Sequence, residues 1–140
     1  MKHVTTYLNF NGNCRPAMEF YKKCLGGQLE MMPFSQMPDH GDLPKEAQNL
    51  VMHARLSHNG APLLMASDTM PGMPFHLGNN FYVSVHCESQ EEVERHFAAL
   101  GENGKVQMPL QDTFWGSHFG MLTDQFGIQW MFNFDKSGKA

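Results

Sequence analysis

A length of 140 residues and a formal net charge of −4 are typical of one compact domain, or of two small modules that share a core. The ten basic residues are scattered along the chain, which argues against nucleic acid as a partner because phosphate binding needs a clustered basic face. No apolar run approaches the roughly 20 residues that span a bilayer, and the N-terminus lacks the apolar core of a signal peptide. We therefore expect no membrane partner either.

The three cysteines indicate a reducing compartment. Cys14 and Cys24 lie on one predicted helix, too far apart for a disulfide bridge. Cys87 makes the number odd, so a full set of bridges within the chain is excluded. A reduced, cytoplasmic protein is the simplest interpretation.

The first predicted element is a strand over Thr6–Phe10, where the sequence alternates. Leu8 and Phe10 point to one side, and Tyr7 and Asn9 point to the other. An alternation with a period of two predicts a strand with one buried face.

A helix over residues 13–25 follows this strand. Its apolar residues form one stripe, and it ends at a Gly-Gly pair. We predict a further strand over residues 28–34. The segment "SHNGAPLLMASD" then predicts a hairpin that turns at Gly60 and closes the first half of the chain.

The second half starts with another alternating segment. Phe81, Val83 and Val85 alternate with Tyr82 and Ser84, which predicts a second strand with one buried face. In this alignment Tyr82 corresponds to the tyrosine of the first strand, and Ser84 to its asparagine.

A helix, a strand and a hairpin complete the second half as they complete the first. Ser89 and Glu92 form a capping box at the helix start, and a strand is predicted over residues 105–110. The closing hairpin turns at Gly127, the counterpart of Gly60. Apolar residues expected to face the core are Val93, Phe97 and Leu100 on the helix and Ile128, Trp130 and Phe132 on the last strand.

The order strand, helix, strand, strand, strand therefore occurs twice, which predicts an α+β fold made of two βαβββ modules. The modules cover residues 1–68 and 79–134. A connector over residues 69–78, rich in Met, Pro and Gly, joins them into a single domain.

A doubled βαβββ unit of this size resembles the vicinal oxygen chelate superfamily, which includes glyoxalase I, bleomycin-resistance proteins and extradiol dioxygenases. The chain is most similar to the PhnB-like branch. The resemblance covers nearly the whole chain and implies two mixed sheets curled around a cleft, with the helices outside. The segments that carry it are "YLNFNGNCRPAMEFY", "MHARL", "LLMASD" and "MPLQDTFWGSHFGMLTDQFGIQW".

Metal-dependent members of the superfamily place four His or Glu ligands in the cleft. Alignment and counting from the hairpin glycines put Thr5, Leu64, Asn80 and Met131 at those positions. None of these side chains suits Zn²⁺, Ni²⁺ or Fe²⁺. The chain also lacks the Gly-rich strand–helix turn that binds nucleotide-like cofactors. We expect no metal and no other cofactor.

Polar residues on the cleft side of the strands are the candidates for ligand binding. Strand alternation, the resemblance and the position of one tryptophan beside Gly116 select the set. Its members are Tyr7, Asn9, His53, Arg55, Tyr82, Ser84, Trp115, His118 and Gln129.

Two of the polar residues are candidates for catalysis. His53 shares the cleft side of its strand with Arg55, although a strand histidine is more often a hydrogen-bonded structural residue. Asp68 is the one carboxylate on the predicted cleft side of its hairpin. It also precedes a turn, which it would cap if its role were structural.

Three functions remain open. The first is a metal-independent small-molecule-binding protein whose activity the sequence does not specify. The second is a lyase or isomerase in which His53 or Asp68 transfers protons, either without a metal or with one held by ligands other than those of the superfamily. The third, a role that bleomycin-resistance proteins represent in this superfamily, is a protein that sequesters a drug without turnover.

The resemblance also implies a homodimer, because the two halves of a cleft in this superfamily often come from different subunits. Two half-open sheets would leave their edges and apolar cleft residues poorly covered in a monomer. The connector permits modules to pair within one chain or between chains.

Overall fold

The computed structural model describes residues 1–138 and confirms the α+β class: two four-stranded mixed sheets and three α-helices. The chain divides into two compact units, Met1–His76 and a second that begins at Leu77. No helix in the described chain is both long enough and apolar enough to cross a membrane.

The first unit contains one sheet with the strand order β1-β4-β3-β2. Strand β1 pairs with β4 in parallel, and the other two pairings are antiparallel. Two single 3₁₀ turns and the short α2 occupy the stretch between β2 and β3, which the sequence patterns did not assign. The elements are β1 (Thr6–Phe10), α1 (Cys14–Leu25), β2 (Gln28–Pro33), α2 (Lys45–Gln48), β3 (Val51–His58) and β4 (Ala61–Asp68).

The second unit repeats this topology in the order β5-β8-β7-β6, with β5 and β8 parallel. Strand β5 begins two residues later than predicted, and Phe81 is 53% exposed rather than in the core. Strand β6 extends two residues beyond its predicted end. The elements are β5 (Val83–Cys87), α3 (Gln90–Leu100), β6 (Lys105–Asp112), β7 (Ser117–Thr123) and β8 (Gln129–Asp135).

The core of the first unit lies between α1 and one face of its sheet. The helix buries the stripe that its sequence predicted, which includes Ala17, Met18 and Tyr21. The rings of Phe10 and Tyr21 pack with their centroids 6.5 Å apart. Buried strand residues on this face are Leu8, Phe10, Ala54, Leu56, Leu64 and Ala66.

The second unit buries the predicted row Ile128, Trp130 and Phe132 against α3. Phe97 of the helix meets Phe132 edge to face, with ring centroids 5.2 Å apart. The capping prediction is confirmed, since the Ser89 hydroxyl accepts a hydrogen bond from the backbone N–H of Glu92 at 3.0 Å.

A β-bulge in β4 changes which of its residues face the core. Ser57 pairs with Pro62, but the preceding residue of β3, Leu56, pairs with Leu64, so Leu63 is an extra residue. An extra residue reverses the alternation beyond it. Leu64 therefore lies in the core, and Met65 faces the other side.

Candidate functional site

The face of each sheet that its own helix leaves uncovered is called here the open face of that unit. In the first unit, alternation with the buried residues defines this face. It carries polar side chains together with methionines. Its members are Tyr7, Asn9, Glu30, Met32, His53, Arg55, Met65 and Ser67.

Tyr7 and His53 form a hydrogen-bonded pair on this face. The Tyr7 hydroxyl lies 3.2 Å from Nδ1 of His53, and the two ring centroids are 5.8 Å apart. The tyrosine stands on β1 and the histidine on β3, so the pair reaches over the intervening β4. Because Nδ1 is engaged, Nε2 of the ring is left for another partner.

Arg55 lies two residues after His53 on β3, on the same open face. Across the sheet it pairs with Met65 of β4 on one side and with Glu30 of β2 on the other. Its Nη2 donates to the carbonyl oxygen of Gly60 at 3.2 Å. In the described part of the chain its buried Nε has no hydrogen-bond partner.

Asp68 does not lie on the open face, so the prediction of its position is wrong. It continues the buried row of Leu64 and Ala66, because the bulge reverses the alternation. One carboxylate oxygen accepts from the backbone N–H groups of Gly12, at 3.0 Å, and Cys14, at 2.9 Å. The other accepts from the N–H of Val51 at 2.9 Å.

These three bonds make Asp68 a structural residue. It joins the start of α1 and the start of β3 to the end of β4. Burial is the main cause that raises the pKa of the Cys14 thiol to about 12, and the negative charge of Asp68 adds to it. Asp68 is therefore withdrawn as an acid–base candidate.

The open face of the second unit carries two of the predicted ligand-binding residues side by side with methionine. Ser84 lies opposite Met131, and Gln129 lies opposite Thr123 on the same face. The Ser84 hydroxyl lies 3.1 Å from Nε2 of His86, two residues along β5. The Gln129 amide donates to the backbone oxygen of Phe81 at 2.7 Å, which fixes the start of β5.

Tyr82 extends across this second open face. Its hydroxyl donates to Oε1 of Gln107 at 3.0 Å. Tyr82 directly precedes β5 and Gln107 belongs to β6, which are the two edges of the sheet. Because edge strands of a four-stranded sheet are about 14 Å apart, the two side chains together span the face.

Trp115 stands in the turn between β6 and β7 and is 58% exposed. Its ring packs edge-on against Phe119 at 6.3 Å and against Phe114 at 5.0 Å. Phe119 belongs to the open face, since it pairs with Asn133. Trp115 therefore forms an aromatic wall at one end of this face, within the second unit.

The assignment of His118 to the cleft side is wrong. It pairs with Phe134 and follows the buried alternation of Gly120, so it lies on the helix side of the sheet. Its Nδ1 contacts Asp112 at 2.8 Å, and Lys136 bonds to the same oxygen. The hydrogen bond from Lys136 is the main cause that holds the pKa of the Asp112 carboxyl below its ordinary value, and the bond from His118 adds to it.

Comparison with known proteins identifies the family. The family described as 3-demethylubiquinone-9 3-methyltransferase matches residues 2–132. Protein YjdN of Escherichia coli K12 is 34% identical over 93% of both chains. The crystal structure of PA1353 from Pseudomonas aeruginosa is 44% identical over 96% of this chain and 98% of that one, with a TM-score of 0.86.

The chain belongs to this PhnB-like family. A PhnB protein from Bacillus cereus is 28% identical over 95% of this chain and 99% of that one, with a TM-score of 0.74. A glyoxalase/bleomycin resistance protein/dioxygenase family enzyme from Burkholderia phytofirmans has the same fold. At 13% identity it covers 93% of this chain and 97% of that one, with a TM-score of 0.60.

The residues of this PhnB-like chain do not fit the nucleotide-like cofactor that a methyltransferase name implies. The two strand–helix junctions, residues 11–13 and 88–89, contain the single glycine Gly12. A nucleotide-binding turn of the usual kind needs several glycines so that backbone N–H groups can approach phosphate.

A metal fits no better. Replacing the misassigned Leu64 by Met65 leaves Thr5, Asn80 and Met131 at the other positions that correspond to superfamily ligands. Hydroxyl, amide and thioether groups are weak ligands for Zn²⁺, Ni²⁺ or Fe²⁺. Among the described side chains, no three of His, Cys, Asp and Glu come together as a metal site would need.

The sequence patterns missed several residues of the two open faces. The bulge hid Met65 and Ser67, and Glu30 and Gln107 lie on strands whose alternation is weak. Gln107 carries no signal in the sequence, because its bond to Tyr82 joins opposite edges of a sheet.

Proposed function

We propose that the protein binds a small organic molecule on the open face of the first unit, and that binding needs no metal. The hydrogen-bonded pair Tyr7–His53 supports this most directly, because it is a preformed polar group on a face that its own unit leaves uncovered. Binding sites typically combine a few such polar groups with an apolar lining.

Methionine supplies the apolar part of the proposed site. Met65 pairs with Tyr7 on one side and with Arg55 on the other, so a flexible thioether chain separates the tyrosine from the arginine. Met32 lies opposite His53 and is 42% exposed. Unbranched methionine side chains adapt to ligands of different shape, and Asn9 adds a further amide at the edge strand.

The second open face offers a comparable set of groups, and we propose that it too contacts small ligands. Tyr82, Ser84 and Trp115 provide a hydroxyl pair and an aromatic wall. The bond between Tyr82 and Gln107 lies across this face. A ligand on this face would have to bind beside that hydrogen bond or break it.

A thermal-shift screen with a library of small organic molecules tests the first proposal. A ligand present at a hundredfold excess over its Kd stabilises the protein by about 2.7 kcal/mol, which raises Tm by several degrees. Tyr7→Phe and His53→Gln should weaken binding of the hits about fivefold or more, because each removes one hydrogen-bonding partner. Unchanged binding in both variants would contradict the proposed site.

His58→Gln is the matched control. His58 ends β3 on the same strand as His53 but is exposed beside the hairpin turn. It should leave the binding of every hit unchanged. A library without a single hit would contradict the proposed function as a whole.

A second function, acid–base catalysis by His53, is favoured by the same hydrogen bond. A partner on Nδ1 fixes the ring so that Nε2 is available to transfer a proton. In that case His53→Gln would abolish turnover of a ligand found in the screen while much of its binding remained. Retained turnover in this variant would exclude His53 as the acid–base group.

We further propose a homodimer in a reducing, cytoplasmic environment. The Phe114 side chain is 98% exposed beside Trp115, and large exposed apolar groups are typical of contact surfaces. No disulfide joins Cys14, Cys24 or Cys87 in the described chain, which supports a reduced protein. Sedimentation at micromolar concentration should give twice the chain mass of 15.9 kDa, and a value near one chain mass would rule out the dimer.

A further inference from the structure

Arg55 is the one cation on the open face of the first unit whose side chain is incompletely satisfied in the described structure. Arg55 is half-buried on this face, and its Nε is shielded from solvent. A charged donor that has lost water without gaining an acceptor is unfavourable. In the described residues this nitrogen has no acceptor, whereas the neighbouring Nη2 has the carbonyl oxygen of Gly60 at 3.2 Å.

The two nitrogens are adjacent donors on one edge of the guanidinium group. Nε–H and one N–H of Nη2 point in the same direction, and this edge matches the two oxygens of a carboxylate in a bidentate pair. A single carbonyl oxygen satisfies half of such an edge. With the Gly60 carbonyl oxygen on Nη2 and no acceptor on Nε among the described residues, the two donors are not satisfied together.

We infer that Arg55 recognises a carboxylate on the ligand, so that the small molecule bound by this face is an organic acid. The inference rests on the proposed function and names its ligand class. A carboxylate that displaces the Gly60 carbonyl engages Nη2 and Nε together. The rest of the acid then lies along Met65 towards the Tyr7–His53 pair, since Met65 pairs with both Arg55 and Tyr7.

Glu30 opposes this binding and so provides a second test. It lies directly across from Arg55 on β2, on the same open face. No ion pair joins these two residues in the structure as described. Its negative charge is close enough to repel an incoming carboxylate, so its removal should strengthen the binding of acids.

The experiment uses the full chain and a library of matched pairs, each a carboxylic acid and its primary amide. Acids should bind, and their amides should bind at least tenfold more weakly. Arg55→Gln should weaken the acids about ten- to hundredfold, as expected for the loss of charged hydrogen bonds. Glu30→Gln should strengthen them several-fold, and higher salt should weaken them.

Arg15→Gln is the matched control, because it removes the same charge from an exposed position on α1, on the other side of the sheet. The Kd of this variant for the acids should stay within twofold of the Kd of the parent chain. Hits that are neutral molecules, or acids that bind Arg55→Gln as well as the parent chain, would overturn the inference while the proposed function stands. A library in which neither acids nor amides bind would refute both.

Discussion

A Cβ atom added at Gly104 would lie 2.5 Å from the carbonyl oxygen of Thr123. In the first unit, a Cβ at Gly27 would meet the carbonyl oxygen of Ser57 in the same way. Each glycine follows the long helix of its unit, and each carbonyl belongs to the third strand of that unit. The two units therefore share a close backbone approach that leaves no room for a side chain.

This relationship predicts an order of stabilities for three glycine substitutions. Gly104→Ala introduces a steric clash, which should cost about 1–3 kcal/mol. Gly12→Ala introduces backbone strain alone, about 1 kcal/mol or somewhat more, since its φ is +95° and its surroundings are open. Gly27→Ala combines both effects at φ +94° and should be the most destabilising.

Urea unfolding midpoints measure these differences. If Gly27→Ala proved no more destabilising than Gly12→Ala, the close approach at Ser57 would not constrain the chain as described.

Asp68→Ala should destabilise the protein by about 3 kcal/mol or more, because it leaves three backbone N–H groups without their acceptor. Asp68→Asn should cost less, since one amide oxygen can still accept. The free energy of unfolding, obtained from urea titration, gives both values.

Ser67→Ala is the control for this prediction. Ser67 is the neighbouring residue on the open face, so its loss should change stability by no more than about 0.5 kcal/mol. An Asp68→Ala variant as stable as Ser67→Ala would show that the buried bonds contribute little.

The Asp112 cluster predicts a dependence of stability on acid pH. Lys136 and His118 lower the pKa of the folded carboxyl from its ordinary value of 3.8. Its contribution to stability is therefore present above that value and is lost as the pH falls through the lowered pKa. Asp112→Asn should be less stable than the parent chain at neutral pH, and the difference should vanish in strong acid.

Unfolding midpoints at both pH values, at low and high salt, test this expectation, since salt screens an exposed pair. Asp39→Asn, in the loop after β2, is the control and should show no comparable change. A difference between parent and Asp112→Asn that persisted in strong acid would contradict the assignment.

Cys14 and Cys87 should resist alkylation in the native protein. Burial is the main cause that raises the pKa of each thiol to about 12, and the nearby carboxylates of Asp68 and Glu92 add to it. At pH 8 roughly one such thiol in ten thousand is ionised, and the thiolate is the reactive form. Cys24, which is half-buried, should be modified first.

Peptide mapping by mass spectrometry after timed exposure to iodoacetamide distinguishes the three sites. Protein unfolded in urea should be modified at all three at similar rates. Rapid native alkylation of Cys14 would show that the start of α1 opens readily.

The local pattern of the sequence was sufficient for the strands, the two long helices and the doubled topology, but not for α2. Alternation in Thr6–Phe10 placed Leu8 in the core and Tyr7 on the open face, and the spacing of apolar residues set both long helices. These features depend on interactions between residues close in sequence, so the periods of two and 3.6 residues reveal them.

The predicted positions of Asp68 and Leu64 failed for one physical reason. Counting from Gly60 assumes a regular strand, whereas β4 contains an extra residue at Leu63. A bulge reverses every later side chain, and nothing in "APLLMASD" marks its place.

His118 failed for a different reason, because its alternation was read correctly but assigned to the wrong side of the sheet. Its row continues through Gly120 to Leu122, and both of these are buried. Sequence alone therefore determined which residues share a side only within regular stretches of strand. Contacts between residues distant in the sequence decided which side of the sheet is buried and which polar groups meet. Asp68 bonds to Val51, and Tyr7 bonds to His53. In the described structure Arg55 has an acceptor on Nη2 and none on Nε.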